Sequence, residues 1–293
     1  MNKIAIIGAG NIGMALGTVL GKNTDNKVEL WDKDTLKVEG QRQLSEVVSD
    51  AEFVFLCVPS WVNREVASEI APHLRVSTIV VSLSKGIEKE TLETMDFVLH
   101  ETLPTGHQFA LCLGPMMAEE ISKDMFTVGV IATPSKSIFE KINSLFENSN
   151  LKFEHTEDVK GAALASILKS VYAIGVGLLD GFKLEDNAKG WFVTKALSEI
   201  SEIIELLGGK KETAYDLAGV GDLVSTGFST HSRNRKVGYK IASGELCSKD
   251  SEGAISLQYI VKLLKGNLEK LPLLNAIDKI INEDQDPKLI LGK

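Results

Sequence analysis

The sequence predicts an α/β fold: a doubly wound, mostly parallel sheet over residues 1–157, then an all-helical domain over residues 158–293. Three observations carry this. Short apolar runs rich in Val, Ile and Phe recur through the first half, separated by segments with helical spacing. A Gly-x-Gly-x-x-Gly string, Gly8 to Gly13, follows the first run directly. Beyond about Glu157 the apolar positions recur every three or four residues, and no convincing strand pattern remains.

In chain order, the runs expected as strands are Lys3 to Ile7, Lys27 to Trp31, Phe53 to Val58, Thr78 to Leu83, Phe109 to Leu113, Val128 to Thr133 and Leu151 to His155. Being apolar on both faces, they need cover on both sides, which intervening helices supply. Helices are expected at Asn11 to Gly21, Asn63 to Ala71, Thr91 to Leu99 and Ser135 to Glu147. In the second half the helical patterns are Gly161 to Gly181, Ala188 to Leu207, Arg233 to Ser243, Ile255 to Lys265 and Leu273 to Asn282.

Composition narrows the function classes. With 44% hydrophobic and 25% charged residues, the chain reads as a soluble globular protein and not as a disordered or fibrous one. A net charge of −8 opposes an extended nucleic-acid surface, and Arg233 to Lys236 is a short basic patch only, so no nucleic-acid partner is expected. Cys57, Cys112 and Cys247 are far apart and odd in number, which suits a reducing cytoplasm and neither a disulfide framework nor a CxxC site. The five histidines lack metal-ligand spacing, so no metal is expected, and His155 reads as structural. No secretory signal and no run of about 18 apolar residues is read, so no membrane span is expected. Walker A and GxSxG strings are absent, which argues against an ATPase or an α/β hydrolase. Trp31, Trp61 and Trp191 are expected to bury area, and Lys183 and Lys195 to be ordinary exposed charges.

Gly8-Ala9-Gly10-Asn11-Ile12-Gly13, between a strand and a helix, is the fingerprint of a Rossmann-type dinucleotide site. Gly8 allows the tight turn, Gly10 lets backbone approach a pyrophosphate, and Gly13 permits close helix–strand packing. Asn11 and Ile12 open the helix whose free N–H groups face the phosphate charge. About 20 residues beyond Gly13, Asp32 closes the second strand, where a carboxylate accepts ribose hydroxyls and repels a 2′-phosphate. NAD is therefore expected over NADP, although Lys33 could attract a 2′-phosphate and Asp34 could take the acidic role.

Further blocks converge on one family. They are Ser84-Lys85-Gly86-Ile87-Glu88, Gly114-Pro115 with Ala118-Glu119-Glu120-Ile121, Leu168-Lys169, Leu179-Asp180-Gly181 with Asp186-Asn187-Ala188-Lys189, Ala218 to Leu223, and Ser232-Arg233-Asn234-Arg235. In this order they resemble the NAD(P)-dependent glycerol-3-phosphate dehydrogenases, as a divergent, shortened member. The resemblance implies reversible reduction of dihydroxyacetone phosphate to sn-glycerol 3-phosphate, feeding glycerophospholipid synthesis, by a cytoplasmic homodimer acting on a small phosphorylated substrate.

Carried over by position, the resemblance makes Lys169 the catalytic lysine, Lys85 a second lysine at the cofactor–substrate junction, and Asp222 part of the catalytic group. Thr226, Ser232, Arg233 and Asn234 complete the substrate pocket, with Arg233 and Glu252 also toward the cofactor and Gly114 and Ala118 as backbone contacts. The chemistry is consistent with these roles. A carbonyl receiving hydride develops negative charge that an ammonium stabilises, and a guanidinium fork suits a phosphate. Lys169 lies in an apolar helix, where an ammonium is costly unless its head reaches a cleft or a partner.

The chain departs from the family pattern at Met116, Ala163 and Ser170, and lacks an Asn-x-x-Tyr-Leu-Pro-Gly segment after the second strand. These departures leave two alternatives open: a dehydrogenase of the same fold acting on another small hydroxy or oxo compound, and a catalytically silent nucleotide-binding protein.

Overall fold

Phe53–Leu56 and Ile79–Ser82 are four-residue strands with every residue buried, the signature of a sheet covered on both faces. The computed structural model describes residues 1–292. Its elements run β1 (Asn2–Ile7), α1 (Asn11–Leu20), β2 (Asn26–Trp31), α2 (Leu44–Asp50), β3 (Phe53–Leu56), α3 (Asn63–Ile70), β4 (Ile79–Ser82), α4 (Met95–Thr102), β5 (Gln108–Leu113), α5 (Ala118–Ile121), β6 (Thr127–Ala132), α6 (Lys136–Ser144) and β7 (Leu151–Thr156). Helices follow: α7 (Val159–Gly181), α8 (Asp186–Leu206), α9 (Asp222–Phe228), α10 (Arg233–Ala242), α11 (Glu252–Leu263) and α12 (Pro272–Asn282).

The sheet order is β2-β1-β3-β4-β5-β6-β7. Strands β1 to β5 are parallel, β6 runs antiparallel to β5, and β7 is parallel to β6. The chain order reverses between β1 and β3, and in open α/β sheets ligands bind beyond the strand C-termini at such a switch point. One face of the core joins Ile4, Ile6, Leu16, Phe55, Phe146 and Phe153. Cys57 and Cys112 are buried in it as free thiols, and burial pushes both up, Cys112 to about 12. They pack as small hydrophobes.

The chain divides into two compact units, Met1–Glu88 with Glu93–Val159, and Lys89–Leu92 with Lys160–Lys293. In the second, α7 is buried along nearly its whole length, and α8 packs Phe192, Ile200, Ile203 and Ile204 inward. Ser232 and Ser251 cap α10 and α11, their hydroxyls accepting from Arg235 N and Ala254 N, and Pro272 opens α12.

All seven expected strands form within two residues of their expected ends. The helix expected from Thr91 starts instead at Met95, because Leu92 takes a left-handed φ of 61° and breaks the turn before it. Helices α2, α5 and α9 were not expected: each is seven residues or fewer, too short for a periodic signal. Trp61 and Trp191 are exposed, correcting the expectation that they bury area. The expectation that no segment is long and apolar enough to span a membrane is also corrected. Helix α7 is, by length and composition, although its most apolar stretch is entirely buried within the protein. His155 is structural as expected, its Nε2 2.8 Å from Thr133 O and its ring stacked on Phe139.

Candidate active site

β1 ends at Ile7 and the chain turns through Gly8 at φ +106°, where a side chain would be strained and a Cβ would lie 2.6 Å from Cys57 O at the end of β3. At Gly13 a Cβ would come within 1.9 Å of Gly8 O, so α1 can cross this close only with glycine there. Gly10 is the opposite case. Nothing lies within 4 Å of the Cβ position, which leaves open space over the turn. Helix α1 starts at Asn11 with no side-chain cap and no acidic residue in its first turn, so its N-terminal N–H groups and partial positive charge are unopposed. Ile12 packs against the sheet core. This cradle fits the pyrophosphate of a dinucleotide.

Asp32 is buried, not a solvated turn residue. Its Oδ2 accepts from Ala9 N inside the glycine turn (2.7 Å), and its Oδ1 accepts from Asp34 N (2.9 Å). Lys37 Nζ lies 3.3 Å from both oxygens. Gln41 braces the same residue, accepting from Asp32 N and donating to Asp32 O. Burial raises the Asp32 carboxyl, but the Asp34 and Ala9 N–H groups and the Lys37 ammonium outweigh it, and its pKa stands below the ordinary 3.8. Lys33 is highly exposed and lies 3.7 Å from Glu65. Asp34 is exposed and its Oδ1 accepts from Leu36 N, a local turn contact.

The segment after β4 carries Lys85, whose Nζ donates to Gly114 O at 2.9 Å. Ser84 Oγ donates to Val58 O and accepts from Asn63 Nδ2. Glu88 is held by both Nε and Nη2 of Arg64, at 2.6 and 2.8 Å. Arg64 also reaches Glu101, so the Lys85 loop is tied to α3 and α4. Ala118 opens α5. Met116 packs against the core, its thioether 3.7 Å from Cys112 Sγ, which explains how this loop accommodates an apolar residue.

In the second unit, Lys169 is 6% exposed, and its ammonium lies 3.0 Å from Asp222 Oδ1 and donates to Thr226 Oγ1 at 2.8 Å. Thr226 donates in turn to the same carboxylate oxygen at 3.1 Å. Asp222 and Thr226 stand one turn apart on α9, so both face α7. A π-helical turn, Leu217–Gly221, leads into α9. Arg233 is exposed at the first position of α10, without an ion-pair partner among the described residues. Asn234 is buried, and its Oδ1 accepts from Gly253 N at 2.9 Å, which ties α10 to α11 next to Glu252 and leaves the amide nitrogen as donor. Ser232 spends its hydroxyl on the helix cap. Ser170 Oγ bonds back to Ser166 O of its own helix.

Within the first unit, the glycine turn and Asp32 therefore form one group and Lys85 with Gly114 another. Within the second, Lys169, Asp222 and Thr226 converge, and Asn234 meets the residue after Glu252. Sequence reasoning missed Lys37, Gln41 and the Arg64–Glu88 pair, whose partners are remote from any motif. It also missed the role of Asp180, which bridges Lys189 Nζ and Arg235 Nε, each at 2.6 Å.

The model of the NAD-dependent glycerol-3-phosphate dehydrogenase C-terminus matches residues 158–292, and that of the N-terminus matches residues 34–139. A glycerol-3-phosphate dehydrogenase [NAD(P)+] of Clostridium botulinum is 30% identical, covering 98% of this chain and 95% of the relative. The chain belongs to the glycerol-3-phosphate dehydrogenase family. A dehydrogenase of this name from Clostridium perfringens is 32% identical over 86% of this chain and 82% of its own. The crystal structure of the glycerol-3-phosphate dehydrogenase of Coxiella burnetii superposes with a TM-score of 0.88 at 26% identity, covering 99% of this chain and 97% of that one. The Rossmann sheet, the helical region after it and the NAD(P)-dependent enzyme class are thus those of the glycerol-3-phosphate dehydrogenases.

Proposed function

We propose that the chain interconverts dihydroxyacetone phosphate and sn-glycerol 3-phosphate, with residues 1–157 holding the dinucleotide and residues 158–293 the substrate. The observation that carries this reading is the buried Lys169 ammonium, held between Asp222 and Thr226. A nicotinamide cofactor, when bound, supplies or removes the hydride. Gly8, Gly10, Gly13 and the α1 N-terminus, with Asn11 and Ile12, take the pyrophosphate. Asp32 takes the adenosine ribose, and its carboxylate taken alone favours NAD over NADP.

Lys169 donates its proton to the carbonyl oxygen as negative charge grows there, and in the oxidative direction its neutral amine takes the hydroxyl proton. Asp222 orients the ammonium, and Thr226 fixes the direction of one of its N–H bonds. The exposed Arg233 fork and the Asn234 amide, at the N-terminus of α10, take the phosphate dianion. Ser232 acts through the cap that holds this N-terminus. By their positions in the family pattern, Lys85, Gly114 and Ala118 in the first unit and Glu252 in the second are assigned to cofactor and substrate contacts. Cytoplasmic localisation, a homodimer and supply of glycerophospholipid synthesis complete the reading.

The test follows oxidation of NADH and NADPH by absorbance, with dihydroxyacetone phosphate against a panel of other small ketones. Turnover with the phosphorylated triose well above the panel is expected. Tight NADH binding with turnover on another ketone only would overturn the substrate assignment.

A further inference from the structure

We propose that Lys37 sets the choice between the two nicotinamide dinucleotides, by compensating the charge of Asp32 so that a ribose 2′-phosphate is accepted. This rests on reading the glycine turn as a dinucleotide site. An acidic residue at the end of β2 ordinarily rejects a 2′-phosphate because two anions would share one desolvated corner. Here the corner is built differently. The Asp32 carboxylate already receives two backbone N–H groups, from Ala9 and Asp34, and the Lys37 ammonium bridges its two oxygens at 3.3 Å each.

The position of Lys37 is not incidental to a floppy loop. Gln41 bonds both the N–H and the carbonyl of Asp32, at 2.9 and 2.7 Å, which folds the segment after β2 back over the strand end. Lys37 keeps 46% of its side chain exposed, so a ligand can reach it from solvent. An ammonium has three N–H donors, and two oxygens of one carboxylate leave one for a phosphate oxygen.

The other charges near this corner make other contacts. Lys33 is 88% exposed and lies 3.7 Å from Glu65, and Arg42 is engaged by Glu29 and Asp50. Asp34 is turned into its own local bond with Leu36 N. Among the described residues Lys37 is the cation whose ammonium bonds the Asp32 carboxylate, and its removal restores the repulsion.

The experiment titrates full-length protein with NADH and with NADPH, following nucleotide fluorescence at low ionic strength, for wild type, Lys37→Met and Lys37→Arg. Wild type should bind NADPH within about tenfold of NADH, and Lys37→Met should weaken NADPH by about tenfold while NADH changes by less than about threefold. Lys37→Arg should retain NADPH binding, and added salt should cut the wild-type affinity for NADPH more steeply than that for NADH. Equal weakening of both nucleotides by Lys37→Met, no weakening of either, or a wild type that does not bind NADPH would overturn the proposal. Because the readout is binding, loss of triose turnover with both nucleotides still bound would sink the proposed reaction and leave the Lys37 result standing. Failure of wild type to bind either nucleotide would remove both.

Discussion

Gly253, at the start of α11, sits so close to Ser170 on α7 that a Cβ at 253 would lie 2.3 Å from the Ser170 carbonyl oxygen. Its N–H meanwhile donates to Asn234. One glycine therefore spaces the neighbour of Lys169 from the neighbour of Arg233. Gly253→Ala must push α11 off α7, at about 1–3 kcal/mol for overpacking of this kind. Thermal melting should fall, and the KM for dihydroxyacetone phosphate should rise more than kcat drops. Unchanged melting and kinetics would show that the spacing is not needed.

Lys169→Ala should lower kcat by about 10²–10⁴, the range attributed to a positioned proton donor, and leave NADH affinity nearly unchanged. This separates an enzyme from a silent nucleotide-binding protein. The companion Asp222→Asn keeps the shape of the side chain and removes the charge beside the ammonium. It should move the pH dependence of kcat as well as its size. A purely structural role for Asp222 would lower melting without moving the pH profile.

Arg233→Ala should raise the KM for dihydroxyacetone phosphate by about one to two orders of magnitude, since a charge-assisted bidentate contact is lost. Turnover of unphosphorylated dihydroxyacetone, however slow, should be indifferent to the change. Parallel losses on both substrates would place Arg233 outside the phosphate site.

Glu199 is a buried carboxylate that accepts from Tyr172 Oη at 2.7 Å and from Leu273 N and Leu274 N at the start of α12, at 2.7 and 2.9 Å. Burial raises its pKa above the ordinary 4.5, against the pull of those donors. A raised folded-state value means that folding favours the protonated form. That contribution is fully present below pH 4.5 and fades as pH rises through the raised value. Glu199→Gln, a permanently neutral side chain, removes this dependence, and the Tyr172 hydroxyl can turn to accept from the amide. The melting temperature of wild type relative to Glu199→Gln should fall as pH increases across this window. A difference that stays constant, or grows with pH, would contradict the sign.

The sheet was legible because its evidence is local. Runs such as Phe53 to Leu56 are apolar at every position, and a strand bounded by helical spacing leaves few alternatives. The glycine turn was legible for the same reason: Gly8, Gly10 and Gly13 are neighbours in sequence and their steric demands arise within one turn. Helix α9 was not, although it carries Asp222 and Thr226. Seven residues give barely two turns, and its first turn grows out of a π-helical segment that no apolar period announces. Tyr172 could not be placed from sequence either, because its partner Glu199 lies on another helix.

By itself, then, the sequence determined the layering of the first half, the helical nature of the second and the glycine turn between β1 and α1. These follow from periodicity, from glycine sterics and from residue chemistry, all of which act over a few positions of chain. Only the tertiary structure decided which charges meet. Lys169 is neutralised by Asp222, Asp180 by Lys189 and Arg235, and Asp32 by backbone N–H groups and Lys37. The physical reason is that burial makes an unpaired charge costly, so each must find a partner, and the partner is set by how helices and loops pack and not by distance along the chain.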